Sequence, residues 1–509
     1  MSNKETFFVT TPIYYTNGIP HIGHSYASII ADSLARYNKI NGKKVKFSTG
    51  VDENSQKAVI KAQEQGLDVM DYLDKMADIH RGVWDGMKIE YTDFIRTTKP
   101  EHHEFVRSVL QKSFDNGDIY EGEYEGLYCV GCEAFKKEDD LIEVNGKKVC
   151  PDHLTEPDKI KEKNYFFKLS KYQKFLEEFY ENNPDFVTPS DRFNEVKAFV
   201  KRGLEDFSIS RETNKFGIKL PFDESQVTYV WYDALFNYLT VCQGGDENFW
   251  PVNLHIMAKD IVKFHAIYWP AMLKSSGYEL PKQILTTGYF TLDGQKISKS
   301  LGNVIDPVEF SEQYSKDLIV LYLLSSINIG QDGDFNTKQA ILTYNAKLAN
   351  NLGNLLNRVL VLTLKLGEEE LISGFELEEK ADKLKEKFKK NLEKFALKDC
   401  LDEIFKFLDE VNKYVDENEP WKLIKAEEDR EDAQAVLYTI AEGLRISALM
   451  LYSFFPEKMG ELLTRLGLTD YVERLENGEL NNLLEEKEVV FKITEKGNPL
   501  YTRFDVDDK

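Results

Sequence analysis

Apolar positions fall into three textures along the chain, and each predicts a different architecture. Near the N-terminus a strand-like run, "FFVTTP", is followed by the helix-periodic "HSYASIIADSLARYNKING", closed by Gly42, and then by a second strand, "KVKFSTG". Strand, helix, strand in so short a span is a βαβ unit, which implies a parallel sheet. Helical patterns continue to about Asp118. From Ile119 the texture changes to short β-like pieces, Gly-spaced turns and three clustered cysteines, then lysine-rich "KEKNYFFKLSKYQKFLEEFY", up to about Glu224. Strand-like "QVTYVWYDAL", "LHIMAKD" and "KQILTTGYF" restore the α/β rhythm. After "DFNTKQAI" the long segments carry apolar residues three and four apart with short loops between them, which predicts a helical bundle. Examples are "YNAKLANNLGNLLNRVLVLTLKL", "LEEKADKLKEKFKKNLEKFALKDCLDEIFKFLDEVNKYV" and "AQAVLYTIAEGLRISALMLYSFF".

The expected organisation is an α/β parallel-sheet domain over 1–118 and 228–335, interrupted by a compact insertion over 119–227. An all-α domain follows over 336–480, and a tail over 481–509 packs back on the body. The 509 residues suit about three domains. The net charge of −22, from 65 basic and 87 acidic residues, argues mildly against a nucleic-acid partner, because neutralising phosphates takes Lys and Arg. A sum says nothing of distribution, and one basic face on an acidic body still accommodates RNA. The longest apolar run, "LIVLYLLSSI", is about half a bilayer span, and "MSNKETFFVTTP" lacks the pattern of a secretory signal, so a cytoplasmic protein is expected.

Three constellations carry chemistry. In "YYTNGIPHIGHSY", Gly18, Pro20 and Gly23 lie between strand and helix, where backbone and phosphate can approach closely. His21 and His24, three apart, share one side of the first turn, and the helix start is expected to add free N–H groups and positive potential. Taken alone, the four residues read as readily as half-buried histidines beside a tight turn. In "DGQKISKSLGN", Lys296 and Lys299 flank Ser298 in a Gly-bounded loop, placed to neutralise charge on a leaving pyrophosphate; alone, this is an ordinary solvated loop. Of five cysteines, three cluster: Cys129-x2-Cys132, seventeen residues, then Cys150-x2-His153. That is two knuckles joined by a hairpin turning at Asn145-Gly146. Three thiolates and an imidazole fill a tetrahedral zinc site with no open position, which is a structural arrangement. The competing reading is buried free cysteines beside a chance histidine. Cys242 and Cys400 read as core or surface thiols.

The two phosphate motifs together resemble the class I aminoacyl-tRNA synthetases, in which HIGH and KMSKS sequences bracket ATP on a Rossmann-type sheet. Here they read "HIGH" and "KISKS", with Ile297 at the Met position. Over nearly the whole chain the resemblance is to the methionyl-tRNA synthetase family, on "TPIYYTNGIPHIGH", "TGVDENSQK", "VWYDALFNY", "KDIVKFHAIYWPAML", "GYFTLDGQKISKSLGN" and "LGNLLNR". It implies a Rossmann-type catalytic domain, a zinc-binding connective insertion and an anticodon-binding bundle. It implies ATP contacts from His21, Gly23, His24, Lys296, Ser298 and Lys299, of which the two histidines and two lysines are catalytic. It implies a methionine pocket of Ile13, Tyr15, Trp231, Ala234, Tyr238, Ile261 and His265, with Asp52 taking the α-ammonium. Aromatic walls suit a polarisable sulfur. Asn354, Arg358 and Trp421 are implied as the anticodon reader: tryptophan stacks a base while Asn and Arg bond its edges. Trp421 would serve equally as an anchor of its helix, for which Pro420 suits the first position.

The implied reaction activates methionine with ATP and Mg²⁺ to methionyl-adenylate and pyrophosphate, then passes methionine to the terminal ribose of tRNA(Met). One structural Zn²⁺ and a monomeric state, without an appended dimerising domain, complete the expectation. Among rivals, the cysteine enzyme needs an open zinc position, and the isoleucine, valine and leucine enzymes carry an editing insertion too large for this chain. A catalytically silent tRNA-binding paralogue would not require intact histidines and lysines, and a zinc-ribbon RNA-binding module explains neither phosphate motif. The chain departs from the family's common T-G-T-D-E-H-G at Val51, Asn54 and Ser55, which leaves the contact of the missing histidine open.

Overall fold

The computed structural model describes residues 4–129, 134–136, 138–151, 154–212, 215–245, 248–297, 304–367, 370–372 and 374–506, with only the backbone of 124, 125, 134, 135, 160, 162 and 296. They form two compact units: Met1–Thr6, His21–Val45 and Gly288–Lys509 in one, Phe7–Pro20 and Lys46–Thr287 in the other.

The second unit is built on a six-stranded sheet in the order Asp93–Arg96, Lys44–Asp52, Thr6–Tyr15, Leu254–Ala258, Ile284–Thr287, Val187–Thr188. Thr6–Tyr15 with Leu254–Ala258, Leu254–Ala258 with Ile284–Thr287, Ile284–Thr287 with Val187–Thr188, and Lys44–Asp52 with Asp93–Arg96 all pair in parallel. Phe8, Val9, Leu254, Ile256, Ile284 and Leu285 are fully buried, as a sheet covered on both faces requires. Strand order reverses between Thr6–Tyr15 and Leu254–Ala258, and open α/β sheets bind ligands at the carboxyl ends beside such a reversal. The edge strand Asp93–Arg96 lies in a stretch whose pattern predicts only helix; four half-buried residues are too few to display a period of two. "QVTYVWYDAL" is strand only at Val227–Thr228 and turns helical over Val230–Leu235, and a second short helix, Asn237–Thr240, follows it. Nearly every residue there is buried, so no polar face reveals the period.

Within the insertion, Ile119–Cys129 and Asp158–Phe167 form a long antiparallel pair, from Ile119↔Phe167 to Tyr128↔Asp158. The hairpin of Ile142–Val144 and Lys147–Val149 turns at Asn145 (φ 52°) and Gly146 (φ 76°), the two left-handed residues a primed turn needs.

The first unit joins the helix Ile22–Ile40 to a small sheet and the helical bundle. Phe290–Leu292 pairs with Gln295–Lys296 on one side and Gly333–Phe335 on the other. Thr337–Tyr344 runs through a π-helical stretch, Asn345–Gly353, into Asn354–Leu366. The segment 377–415, read as helical throughout, breaks between Glu378–Glu393 and Leu397–Asn418, with Phe395 left-handed at φ 57°. No Gly or Pro marks that break. The tail strand Phe491–Lys492 pairs with Glu370–Leu371, Asn345 exchanges hydrogen bonds of 2.7 and 3.0 Å with the backbone of Phe504, and the Tyr501 hydroxyl donates to Asp317 at 3.0 Å.

Desolvation pushes the Asp317 carboxyl up to about 6. Its folded pKa lies above the unfolded one, so the stability it contributes is fully present at low pH and is lost as pH rises through about 6. Asp317→Asn keeps an acceptor for Tyr501 and removes the charge. It is expected to raise Tm by about 1–3 °C well above that pKa, with the gain vanishing at acidic pH. Calorimetry on either side of the transition checks this.

Candidate active site

The first helix opens on the two histidines, which cap it themselves. His21 is the N-cap, with its Nδ1 accepting from the Gly23 N–H at 3.1 Å; His24 Nδ1 accepts from the His21 N–H at 3.1 Å. The rings lie 4.0 Å apart. A ring nitrogen that accepts an N–H carries no proton, so each neutral imidazole holds its proton on Nε2. One expectation is corrected here. The N–H groups of residues 21–24 are not free for a ligand: Ile22 donates to Ile305 O at 3.2 Å and His24 to His21 O at 2.8 Å. In this arrangement each imidazole presents Nε2–H as its donor.

The second motif starts on a hairpin rather than in a loop. Lys296 pairs with Thr291, and the turn uses Asp293 and Gly294, both left-handed. Asp334 anchors it, accepting from Gly294 N at 2.7 Å and from Thr291 Oγ1 at 2.5 Å. The Lys296 side chain, Ser298 and Lys299 lie outside the described residues. Ile297 is described, and its Cδ1 would sit 3.6 Å from a Cβ placed on Gly23. The two motifs, far apart in sequence, therefore meet within one unit.

The residues expected around methionine all belong to the other unit. Ile13 and Tyr15 lie at the carboxyl end of Thr6–Tyr15, Asp52 is the last residue of Lys44–Asp52, and Ile261 follows Leu254–Ala258. These are the strand ends beside the reversal of order. Tyr238 and His265 are buried, 2.8 Å apart. His265 Nδ1 must donate to the Ile261 carbonyl at 3.1 Å, so Nε2 accepts the Tyr238 hydroxyl proton. Burial pushes His265 down to about 4, which keeps it neutral, and pushes the Tyr238 phenol up, with smaller contributions from Tyr14 and Asp52. Both protons of the pair are engaged, so this wall favours an apolar side chain over one that needs a donor. Ala234 is buried beside it, and Trp231 stacks on Phe264 at 3.9 Å with planes 3° apart. Lys57 lies 4.5 Å from the Tyr15 ring centroid.

Each departure from the family's common pattern has a place. Asn54 Nδ2 donates to Asp233 Oδ2 at 2.7 Å and to Thr97 O at 3.1 Å, all buried. Ser55 caps the helix Gln56–Glu64, and Val51 is fully buried. Asn54 thus ties the end of the Asp52 strand to the helix carrying Trp231 and Ala234.

Residues 7–360 match the family described as tRNA synthetases class I (M). The chain belongs to that family of methionyl-tRNA synthetases. It is 40% identical to the methionine–tRNA ligase of Clostridium tetani over 525 residues, covering all of this chain and 80% of the relative. It is 41% identical to the chloroplastic/mitochondrial methionine–tRNA ligase of Arabidopsis thaliana, over 92% of this chain and 78% of the relative. A solved Mycobacterium tuberculosis methionyl-tRNA synthetase in complex with methionyl-adenylate superposes with a TM-score of 0.93 at 34% identity, over 98% of this chain and 100% of that one.

The residues expected as the anticodon reader are exposed on the helical bundle. Asn354 and Arg358 are exposed on one helix, and Trp421, in the first turn of Pro420–Leu423, is 37% exposed. Beside Arg358, Asp402, Asp409 and Asp416 repeat every seventh residue on Leu397–Asn418. They accept from Lys347 at 2.9 Å, Asn351 at 2.7 Å and Arg358 at 3.2 Å. This acidic rail was missed, although its heptad spacing is visible in the sequence.

Two further groups were also missed. Arg211 is buried over the rings of Tyr128 and Tyr229, at 5.2 and 4.5 Å from their centroids, and so ties the strand ending at Cys129 to the helix that follows Tyr229. Tyr72 and His80 pin the turn before His21 through the Thr16 and Gly18 carbonyls, at 2.6 and 3.1 Å. No local motif marks these residues; their roles exist only through contacts distant in sequence. Of the cysteine cluster, Cys129 and Cys150 are buried and not in a disulfide, while Cys132 and His153 lie outside the described residues.

Proposed function

We propose that the chain is a methionine–tRNA ligase whose adenylation step runs on positioning and electrostatics, without a protein nucleophile. The observation that supports this most is the packing of Ile297 on Gly23, which joins the two phosphate motifs beside a pair of histidines locked as Nε2–H donors. A carboxylate oxygen of methionine attacks the α-phosphorus of ATP, and the bond to pyrophosphate breaks. His21 and His24 donate to phosphate oxygens as charge builds, and Lys296 and Lys299 receive charge on the departing pyrophosphate. Asp52 holds the α-ammonium, and Tyr238, His265, Trp231, Ala234, Ile13, Tyr15 and Ile261 enclose the thioether. Mg²⁺ bound to the triphosphate supplies further charge neutralisation. The adenylate then passes to the terminal ribose of tRNA(Met), whose anticodon Asn354, Arg358 and Trp421 read.

ATP–pyrophosphate exchange measured with each of the twenty amino acids, without tRNA, tests this reading. Exchange with methionine alone supports it; exchange with another amino acid overturns the pocket, and none from folded protein favours a silent tRNA-binding paralogue.

A structural zinc fits the two described donors. Cys129 ends Ile119–Cys129, Cys150 follows Lys147–Val149, and the Cys150 carbonyl accepts from Leu154 N at 2.8 Å. Cys132 and His153 would complete the set. Purified protein is expected to carry about one zinc per chain, and Cys150→Ser to lose it with a fall in Tm. Elemental analysis beside a melting curve checks both. No helix of the described residues is long and apolar enough to cross a membrane, and we propose a monomer in the cytoplasm.

A further inference from the structure

The helix that presents the two histidines at its N-terminus is gripped at its other end by the C-terminal part of the same unit. Gly42, just past its C-cap, has φ 86°, and Gly478, just past the helix Tyr471–Glu476, has φ 91°. The two glycines meet backbone to backbone. A Cβ on Gly478 would lie 2.3 Å from Gly42 Cα and 2.7 Å from its N, separations real Cβ atoms essentially never show; a Cβ on Gly42 would lie 3.2 Å from Gly478 O. Beside this contact Lys39 pairs with Glu476 at 2.5 Å, and Tyr37 meets Phe388 edge-on at 6.1 Å. At the opposite end are the Ile22–Ile305 hydrogen bond and the contact of Gly23 with Ile297. The 19-residue helix is about 28 Å long and contains no proline, so a shift imposed at one end is carried to the other.

We infer that Gly478 is a positioning residue for adenylate formation: its missing side chain lets the C-terminal helices close on Gly42 and sets the axial position of the rod that presents His21 and His24. This rests on reading those histidines as phosphate donors. Methionine affinity is predicted to be spared, because every residue assigned to methionine belongs to the other unit.

The test is tRNA-free ATP–pyrophosphate exchange on Gly478→Ala and Gly478→Asn, with His24→Asn in parallel. Asparagine tolerates positive φ, so it isolates the clash from the backbone penalty. Gly367→Ala is the control: Gly367 has φ 76°, and among the described residues its Cβ would meet only Arg430 Nη2, at 3.9 Å. Both Gly478 variants are expected to lose about tenfold in kcat with KM for methionine unchanged, and Gly367→Ala to match the parent. A parental kcat in Gly478→Asn, or a KM for methionine that rises with the loss, overturns the inference. Should neither Gly478 variant fold, Gly42→Asn is the milder probe, with about a threefold fall expected and a parental kcat overturning the idea. A parental rate in His24→Asn would instead overturn the reading of the histidines, whatever Gly478 does.

Discussion

Replacing His24 with asparagine is expected to cut the kcat of methionine-dependent ATP–pyrophosphate exchange about 10²–10³-fold while Tm moves by no more than about 2 °C. The two effects separate because the imidazole does two jobs with two nitrogens. Nδ1 accepts from the His21 N–H and so completes the cap; an asparagine Oδ1 occupies nearly the same place and can accept the same bond. The donor, Nε2–H, lies farther out, where asparagine does not reach. Glutamine reaches that far but gives up the cap, so His24→Gln should retain more rate than His24→Asn and lose about 1 kcal/mol of stability. The reverse order, with asparagine the more active, would mean that holding the helix start is the histidine's whole contribution. Exchange kinetics and melting curves on the two variants decide between these.

Asp52→Asn is expected to raise KM for methionine roughly a hundredfold or more, since removing one partner of a buried ion pair costs about 3–5 kcal/mol. Asp52 is buried at the carboxyl end of its strand, and that end is clamped: Arg96 donates to Glu53 at 2.8 Å, and the Glu53 N–H donates to Thr97 Oγ1 at 2.8 Å. The backbone that carries the carboxylate is therefore fixed before substrate arrives, and loss of the charge should appear as affinity rather than as unfolding. Binding of the analogue that lacks the amino group discriminates. Parent and variant should bind it equally weakly, because its ammonium is absent; a variant that also binds the analogue less well would place Asp52 in shaping the pocket instead.

The two motifs that carry the family were legible because each is a set of particular residue types at short, fixed spacing. Gly23 lies between His21 and His24, which share a turn, and Lys296 opens its own short motif. The hairpin at Asn145-Gly146 was legible for a related reason, since two left-handed residues are needed in sequence. The edge strand Asp93–Arg96 was hidden by its length, and the helix of Trp231 and Ala234 by burial on every side. The break at Phe395 carries no local mark, because a left-handed phenylalanine is tolerated only where packing on both sides compensates.

What the sequence determined by itself was therefore the alternation of strand and helix that implies a parallel sheet and, through two short motifs, the family. Those depend on periodicity and on residue types a few positions apart. Tertiary structure alone decided which nitrogen of each histidine carries the proton, where Asn54 and Ser55 make their contacts, and that Arg358 faces an acidic rail. It alone brought Ile297 to Gly23 and Gly478 to Gly42. Those facts are distances between residues remote in the chain, and a linear pattern contains no record of them until close packing brings the residues together.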